Sequence, residues 1–210
     1  MKTNWTKHWE ENYGGLVWKT WVWRINRCYR QLLKGVTLSS SPSILELGSG
    51  TGINSILISR ILGAGKITLV DFNQRVFDIS RKIVADSCSE LDVAYIASDV
   101  LGLDLNEQFD VVHSEGLVEH FYGKDRLAVF KKHIDLCKKG GLIIVFVPYK
   151  SIQYALFRSL YKRFSKWIWD EKPFSRKELH ELCEHFNLEV LKEHSSPLIH
   201  EIGILARKRQ

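Results

Sequence analysis

The sequence predicts an α/β fold built on a doubly wound, mostly parallel sheet. Three observations carry that expectation. Between Ser43 and Gly52 a short apolar run, Ile44, Leu45 and Leu47, breaks into Gly48, Gly50 and Gly52, and a helical pattern follows at once. Downstream of this loop, strand and helix signals alternate, the mark of successive βαβ units. Leu142 to Val147 is unbroken apolar sequence, as expected of a strand covered on both faces.

Ahead of the loop, the first 40 residues hold Trp5, Trp9, Trp18, Trp21 and Trp23 of the chain's 7 tryptophans. Trp5, Trp9 and Tyr13 share one helical face. A second helix, from about Val17 to Lys34, sets Trp21, Ile25, Cys28 and Leu32 on one side and ends at Gly35. This N-terminal segment is expected to cap the fold, either by packing on the sheet or by covering a site. Pro42 precedes the first strand. The helix after the loop carries Ile53, Ile56, Leu57 and Ile61.

Lys66 to Asp71 reads as the second strand, Gln74 to Cys88 as a helix, and Val93 to Ala97 as the third strand. Phe109 to His113 is the fourth, Lys124 to Lys138 an amphipathic helix, and Gly140 to Pro148 the fifth strand. From Tyr149 to Trp169 apolar Ile152, Leu156, Leu160, Phe164 and Trp167 recur at helical spacing beside Arg158, Lys162, Arg163 and Lys166. Ser175 with Glu178 three residues on is a capping box that opens a further helix to Asn187. Leu188 to Glu193 and His200 to Arg207 then form an antiparallel pair.

The three alternate glycines suit a turn that side chains would block, delivering helix N-terminal N–H groups to a ligand lying on the backbone. A dinucleotide fingerprint needs its third glycine where Ile53 stands, so that pattern fails. What remains, Glu46-x-Gly48-x-Gly50-x-Gly52 at a strand end, resembles the first motif of the class I S-adenosylmethionine-dependent methyltransferases. The resemblance runs from about Ser43 to the end, with 149–173 as an insertion.

It implies a seven-stranded Rossmann-like methyltransferase sheet, the last strand antiparallel, with an N-terminal helical cap over 1–40 and a helical lid over 149–173, all in one domain over 1–210. It implies S-adenosylmethionine as cofactor and S-adenosylhomocysteine as product. By the same resemblance Gly48, Ser49, Gly50 and Gly52 cradle the cofactor, and Glu46 orders the loop and faces the methionine ammonium. Asp71, about 20 residues after the loop, accepts the ribose hydroxyls, and Phe72 lies against adenine. Asp99 takes the adenine amino group and Val100 offers its N–H. Tyr13, on the capping face, and Ser114, at the fourth strand's end, complete the expected cofactor contacts.

The segment His113-Ser114-Glu115-Gly116-Leu117-Val118-Glu119-His120-Phe121 stands where the family's substrate chemistry begins. It lacks the Asn/Asp-Pro-Pro-aromatic signature of enzymes that methylate nucleic acid amines, and Glu115 and Glu119 lie too close together for the arginine-methylating hairpin. Its form is nearest to small-molecule and quinone-type methyltransferases. Methyl transfer is an in-line displacement that calls for alignment, water exclusion and, where needed, a base. His120 is the first candidate base and Glu115 the second. The other histidines considered, His8, His133, His180, His185, His194 and His200, fall on polar stretches and are expected to be solvated.

Composition sets the limits. At 210 residues and 45% hydrophobic content the chain buries a core without staples. Cys28, Cys88, Cys137 and Cys183 are scattered, which argues for reduced buried thiols and against a disulfide framework or zinc site. No apolar run is long enough to span a bilayer and no secretory signal opens the chain, so a cytoplasmic location is expected. Thirty Lys and Arg against 24 Asp and Glu leave +6. That charge keeps an RNA- or protein-methylating enzyme as the main alternative, with a non-catalytic cofactor-binding module as the second. The preferred acceptor is a small, hydrophobic or lipid-like molecule, nucleic acid being disfavoured, and the basic amphipathic segment adds peripheral membrane contact to what the lid could do.

Overall fold

A computed structural model describes residues 13–38, 40–87, 90–164, 171–196 and 200–210. The expected helix through Trp5 and Trp9, and Trp167 with Ile168, lie outside the described residues.

Seven strands form one sheet in the order β3-β2-β1-β4-β5-β7-β6. They are β1 (Ser43–Leu47), β2 (Lys66–Asp71), β3 (Asp92–Ala97), β4 (Phe109–Glu115), β5 (Cys137–Pro148), β6 (Leu188–Ser196) and β7 (Glu201–Lys208). The first five run parallel, and β7 is antiparallel to both β5 and β6. The chain turns back on itself between β1 and β4, which opens a crevice at their carboxyl ends where ligands of doubly wound sheets bind.

Helices cover both faces. The alternation along β5 shows why: Ile143, Val145 and Val147 enter one core with Phe130, Leu179 and Cys183, while Leu142, Ile144 and Phe146 enter the other with Ile25, Tyr29, Ile56 and Phe77. The first face is covered by α4 (Gly123–Asp135) and α6 (Arg176–His185), the second by α1 (Leu16–Leu32), α2 (Ile53–Leu62) and α3 (Val76–Ser87). Helix α1 buries Ile25, Cys28, Tyr29 and Leu32, spacings that share one face. The Ser175–Glu178 capping box is formed at the start of α6. Cys28, Cys137 and Cys183 are free and buried, and burial pushes the latter two up to about 12.

Gly203, in the middle of β7, lies opposite Phe146, and a Cβ there would come within 2.3 Å of the Phe146 ring. The missing side chain seats that ring, which meets Tyr29 edge-on at 5.1 Å.

The structure orients one helix that the sequence left unoriented and corrects one expectation. The apolar row of α5 (Ile152–Phe164) faces outward: Ile152, Leu156 and Leu160 are 78%, 61% and 65% exposed. The row one turn position away faces in, because the Tyr154 hydroxyl donates to Glu171 Oε1 at 2.8 Å and Arg158 to the Glu171 carbonyl at 3.3 Å. His133, expected at the surface, is fully buried; it shares the inward face of α4 with Val129 and Phe130. No helix among the described residues is long and apolar enough to cross a membrane.

Candidate functional site

The carboxyl ends of β1 and β2 meet through the glycine loop. Gly48, Gly50 and Gly52 have φ of 66°, 48° and 71°, the left-handed region where a side chain is strained. Space excludes one as well: a Cβ on Gly52 would lie 2.5 Å from Leu69 Cδ1, and one on Gly48 2.8 Å from Leu117 Cδ1. Ser49 donates its N–H to Val70 O at 2.9 Å and Gly50 donates to Asp71 Oδ2 at 2.8 Å, which ties the loop to β2. The other carboxylate oxygen, Oδ1, accepts from Asn73 N at 2.8 Å. Each oxygen keeps a lone pair for a ligand hydroxyl. Burial raises the Asp71 pKa, and the two backbone bonds oppose the rise.

Ser98 N–H donates to the Asp71 carbonyl at 3.1 Å and so brings the end of β3 alongside. There Asp99 is exposed and takes the Leu101 N–H at 2.8 Å, Val100 is buried, and Phe72 stands 63% exposed. Tyr13, half-buried at the foot of α1, meets Trp18 edge-on at 5.0 Å.

Beneath the loop a proton chain runs through the core. Glu46 Oε2 accepts from the Ser55 hydroxyl at 2.7 Å and its N–H at 3.3 Å, and the same hydroxyl lies 2.8 Å from His113 Nε2. With Ser55 donating to Glu46, His113 must donate from Nε2, which leaves its buried Nδ1 without a partner among the described residues. Burial drives the two groups toward neutrality from opposite sides. Glu46 rises to about 8, against the pull of Ser55, and His113 falls to about 3. The 3.8 Å approach of His113 to Glu46 is therefore a contact of neutral groups near pH 7, bridged by Ser55.

At the end of β4, Ser114 turns inward. Its hydroxyl lies 2.9 Å from His133 Nε2, whose Nδ1 reaches Val129 O at 2.9 Å. The Ser114 side chain thus anchors α4, leaving its backbone as the part at the crevice. Burial lowers His133 to about 4, so it is a neutral link. Glu115 accepts from Asn54 Nδ2 at 3.3 Å and shares a hydrogen bond with Glu201, the first residue of β7. Burial raises both carboxyls. A 3-10 turn, Val118–His120, follows, with Glu119 buried and His120 half-buried at its end. Tyr29 reaches the same region from α1. Its fully buried hydroxyl has no hydrogen-bond partner among the described residues and is pushed up by burial, then by Glu46, Glu115 and Glu201.

The structure brings Glu46, the glycines, Asp71 and Asp99 to the ends of three adjacent strands, and Glu115 and His120 to the next. Sequence reasoning missed His113, Tyr29, Glu171 and Glu201. Only Tyr29 carried a signal, since it follows Cys28 and precedes Leu32 on the buried face of α1.

A methyltransferase-domain family model matches residues 44–141, the span from β1 to the start of β5. That match, with the relatives and structures below, supports a class I S-adenosylmethionine-dependent methyltransferase. The chain is 26% identical over 159 residues to the malonyl-[acyl-carrier protein] O-methyltransferase of Priestia megaterium, covering 72% of this chain and 55% of that one. The chain thus spans little more than half of that relative's length. Magnesium protoporphyrin IX methyltransferase from Synechocystis, solved with bound S-adenosylhomocysteine, superposes with a TM-score of 0.74 at 12% identity, covering 96% of this chain and 93% of that one. The N-methyltransferase NodS from Bradyrhizobium japonicum, also with that product, gives 0.70 at 12%, covering 99% and 100%. At such identities these two structures establish the shared fold.

Proposed function

We propose that this methyltransferase transfers the methyl group of S-adenosylmethionine to a small acceptor with an apolar body. The observation that carries the reading is the row of cofactor-type groups across the carboxyl ends of β1, β2 and β3: Glu46 with the left-handed glycines, then Asp71, then Asp99. Unpartnered polar atoms support the fit. Ser49 Oγ, Thr51 Oγ1, Asn54 Oδ1 and Asn73 Nδ2 are buried around this loop without a hydrogen-bond partner among the described residues, a cost that a polar ligand relieves.

In this reading Gly48, Ser49, Gly50 and Gly52 let the ligand lie on the backbone, and Glu46 meets its ammonium. Asp71 holds the ribose hydroxyls, Phe72, Asp99 and Val100 hold adenine, and Tyr13 and the Ser114 backbone close the remaining sides. The bound cofactor supplies an electrophilic methyl on sulfur. The protein's part is to align the acceptor along that bond, keep water out, and take a proton at His120 Nδ1 or Nε2, with Glu115 as the second candidate.

Helix α5 follows β5 directly at the carboxyl edge and is pinned to Glu171, which supports a lid role for 149–173 with Tyr154 and Arg158 turned toward the site. The outward row Ile152, Leu156 and Leu160 is then free to meet a lipid surface. Incubating the protein with isotopically labelled S-adenosylmethionine and cell extract tests the proposal. A labelled small product and stoichiometric S-adenosylhomocysteine are expected, and labelled protein or RNA alone would overturn the acceptor class. Deleting 152–168 should keep cofactor binding and lose transfer; a folded deletion variant with normal turnover removes the lid.

A further inference from the structure

In the turn after β4 and on the approach to α6, two carboxyl groups are buried without an ion pair to a described residue. Glu119, in the 3-10 turn after β4, is 2% exposed, and Glu171, just before the chain enters α6, is 7% exposed. The two segments are joined where Lys172 donates its N–H to the Glu119 carbonyl at 3.1 Å. Oε2 of each residue has no hydrogen-bond partner among the described residues. A carboxyl group removed from water with an idle oxygen is costly, and two such groups side by side cost more.

The neighbouring cations do not resolve this. Arg126 donates to the Phe121 carbonyl at 2.8 Å and to the Glu119 backbone carbonyl at 3.4 Å, with its guanidinium 4.3 Å from the centre of the Phe174 ring. Arg158 donates to the Glu171 backbone carbonyl at 3.3 Å. Burial raises the Glu119 pKa most, a hydrogen bond to its own backbone opposes the rise, Glu115 and Glu171 raise it further, and Arg126 is the weakest opposing influence. The cofactor's own ammonium does not account for the pair either, because Glu46 already faces that end from β1. Among the described residues no group of side chains is arranged to hold a metal ion.

We infer that the acceptor presents a protonated amine, held by the carboxylates of Glu119 and Glu171. The inference rests on the methyltransferase reading of this crevice and narrows its substrate class to amphipathic amines. An ammonium has three donors and no acceptor, so it can donate to idle carboxylate oxygens and bring positive charge to the pair. The Tyr154 hydroxyl, which donates to Glu171 Oε1 at 2.8 Å, leaves Oε2 as the oxygen available to it.

Titration calorimetry with hexylamine, hexanol and hexanoate, with and without saturating S-adenosylhomocysteine, tests this directly. The amine should bind at least about tenfold more tightly than the alcohol, and hexanoate should not bind. Glu119→Gln, and separately Glu171→Gln, should erase that preference and leave affinity for S-adenosylhomocysteine unchanged. Because each amide removes an unpaired buried carboxyl, neither variant should melt below the parent protein, which a merely structural role would require. Equal binding of amine and alcohol overturns the inference, as does a preference that survives in both variants. Absence of S-adenosylhomocysteine binding with the amine preference intact would instead refute the cofactor assignment alone.

Discussion

The proton on Glu46 is the most exposed part of the proposed chemistry. Burial lifts this carboxyl from 4.5 to about 8, so at pH 7 roughly nine in ten empty molecules carry the proton. A cofactor ammonium placed against it favours the carboxylate, and binding must expel that proton. Calorimetric titration of S-adenosylmethionine in phosphate and in Tris at pH 7 should therefore show close to 0.9 proton released per ligand. Affinity should rise about tenfold per pH unit between 6 and 7 and level off near 8. His113, held neutral down to about 3, cannot mask the effect. Stability runs the other way. With its folded pKa raised, the protonated group favours the native state fully below 4.5, and that contribution is lost as pH climbs toward 8, by at most about 5 kcal/mol. Glu46→Gln should abolish proton release, weaken cofactor binding, and melt higher than the parent at pH 8.5 though not at pH 5. Identical binding enthalpies in the two buffers for the parent protein would refute the placement of Glu46 against the ammonium.

Other consequences are simpler to measure. Gly52→Ala should lose cofactor binding and cost at least about 1 to 2 kcal/mol of stability, from the left-handed backbone alone before the Leu69 clash is added, as read by denaturant unfolding. Asp71→Ala should weaken S-adenosylhomocysteine by about 1 to 3 kcal/mol and loosen the loop, since the Gly50 and Asn73 N–H groups lose their acceptor; unchanged affinity by calorimetry contradicts the ribose role. His120→Ala should lower kcat on the order of 100-fold with cofactor Kd preserved, and normal turnover would leave His120 a structural residue.

What could be read from the sequence was whatever the backbone decides locally. Alternate glycines at Gly48, Gly50 and Gly52 declare a left-handed turn, Asp71 ends the next strand about 20 residues on, and Ser175 with Glu178 announces a helix start; all three are read from spacing along the chain. The orientation of α5 was illegible for the opposite reason. Its apolar spacing marks a row at Ile152, Leu156 and Leu160 without saying what covers it, and the bonds from Tyr154 and Arg158 to Glu171 hold another row inward while this one faces water. His133 was hidden by its charged neighbours Lys131 and Lys132, although Val129 and Phe130 mark the buried face it shares. Glu201 and Tyr29 come from opposite ends of the chain, and only the closed sheet shows that they approach the same carboxyls.

The reversal of β7 has a consequence for how the site can be altered. A strand running with its neighbours would begin at the opposite edge of the sheet, and its first side chain would lie a full strand length from the crevice. Running against them, β7 begins at the working edge and delivers Glu201 to Glu115. Apart from Tyr13 and the Ser114 backbone, the groups proposed to grip the cofactor hang from β1, β2 and β3, whereas those proposed to face the acceptor hang from β4, the turn after it, the approach to α6, and β7. The two sets share almost no connecting chain. Recombining segments at the boundary between β3 and β4 should therefore exchange acceptor preference between related proteins as a portable half, with the nucleoside-gripping half carried along intact.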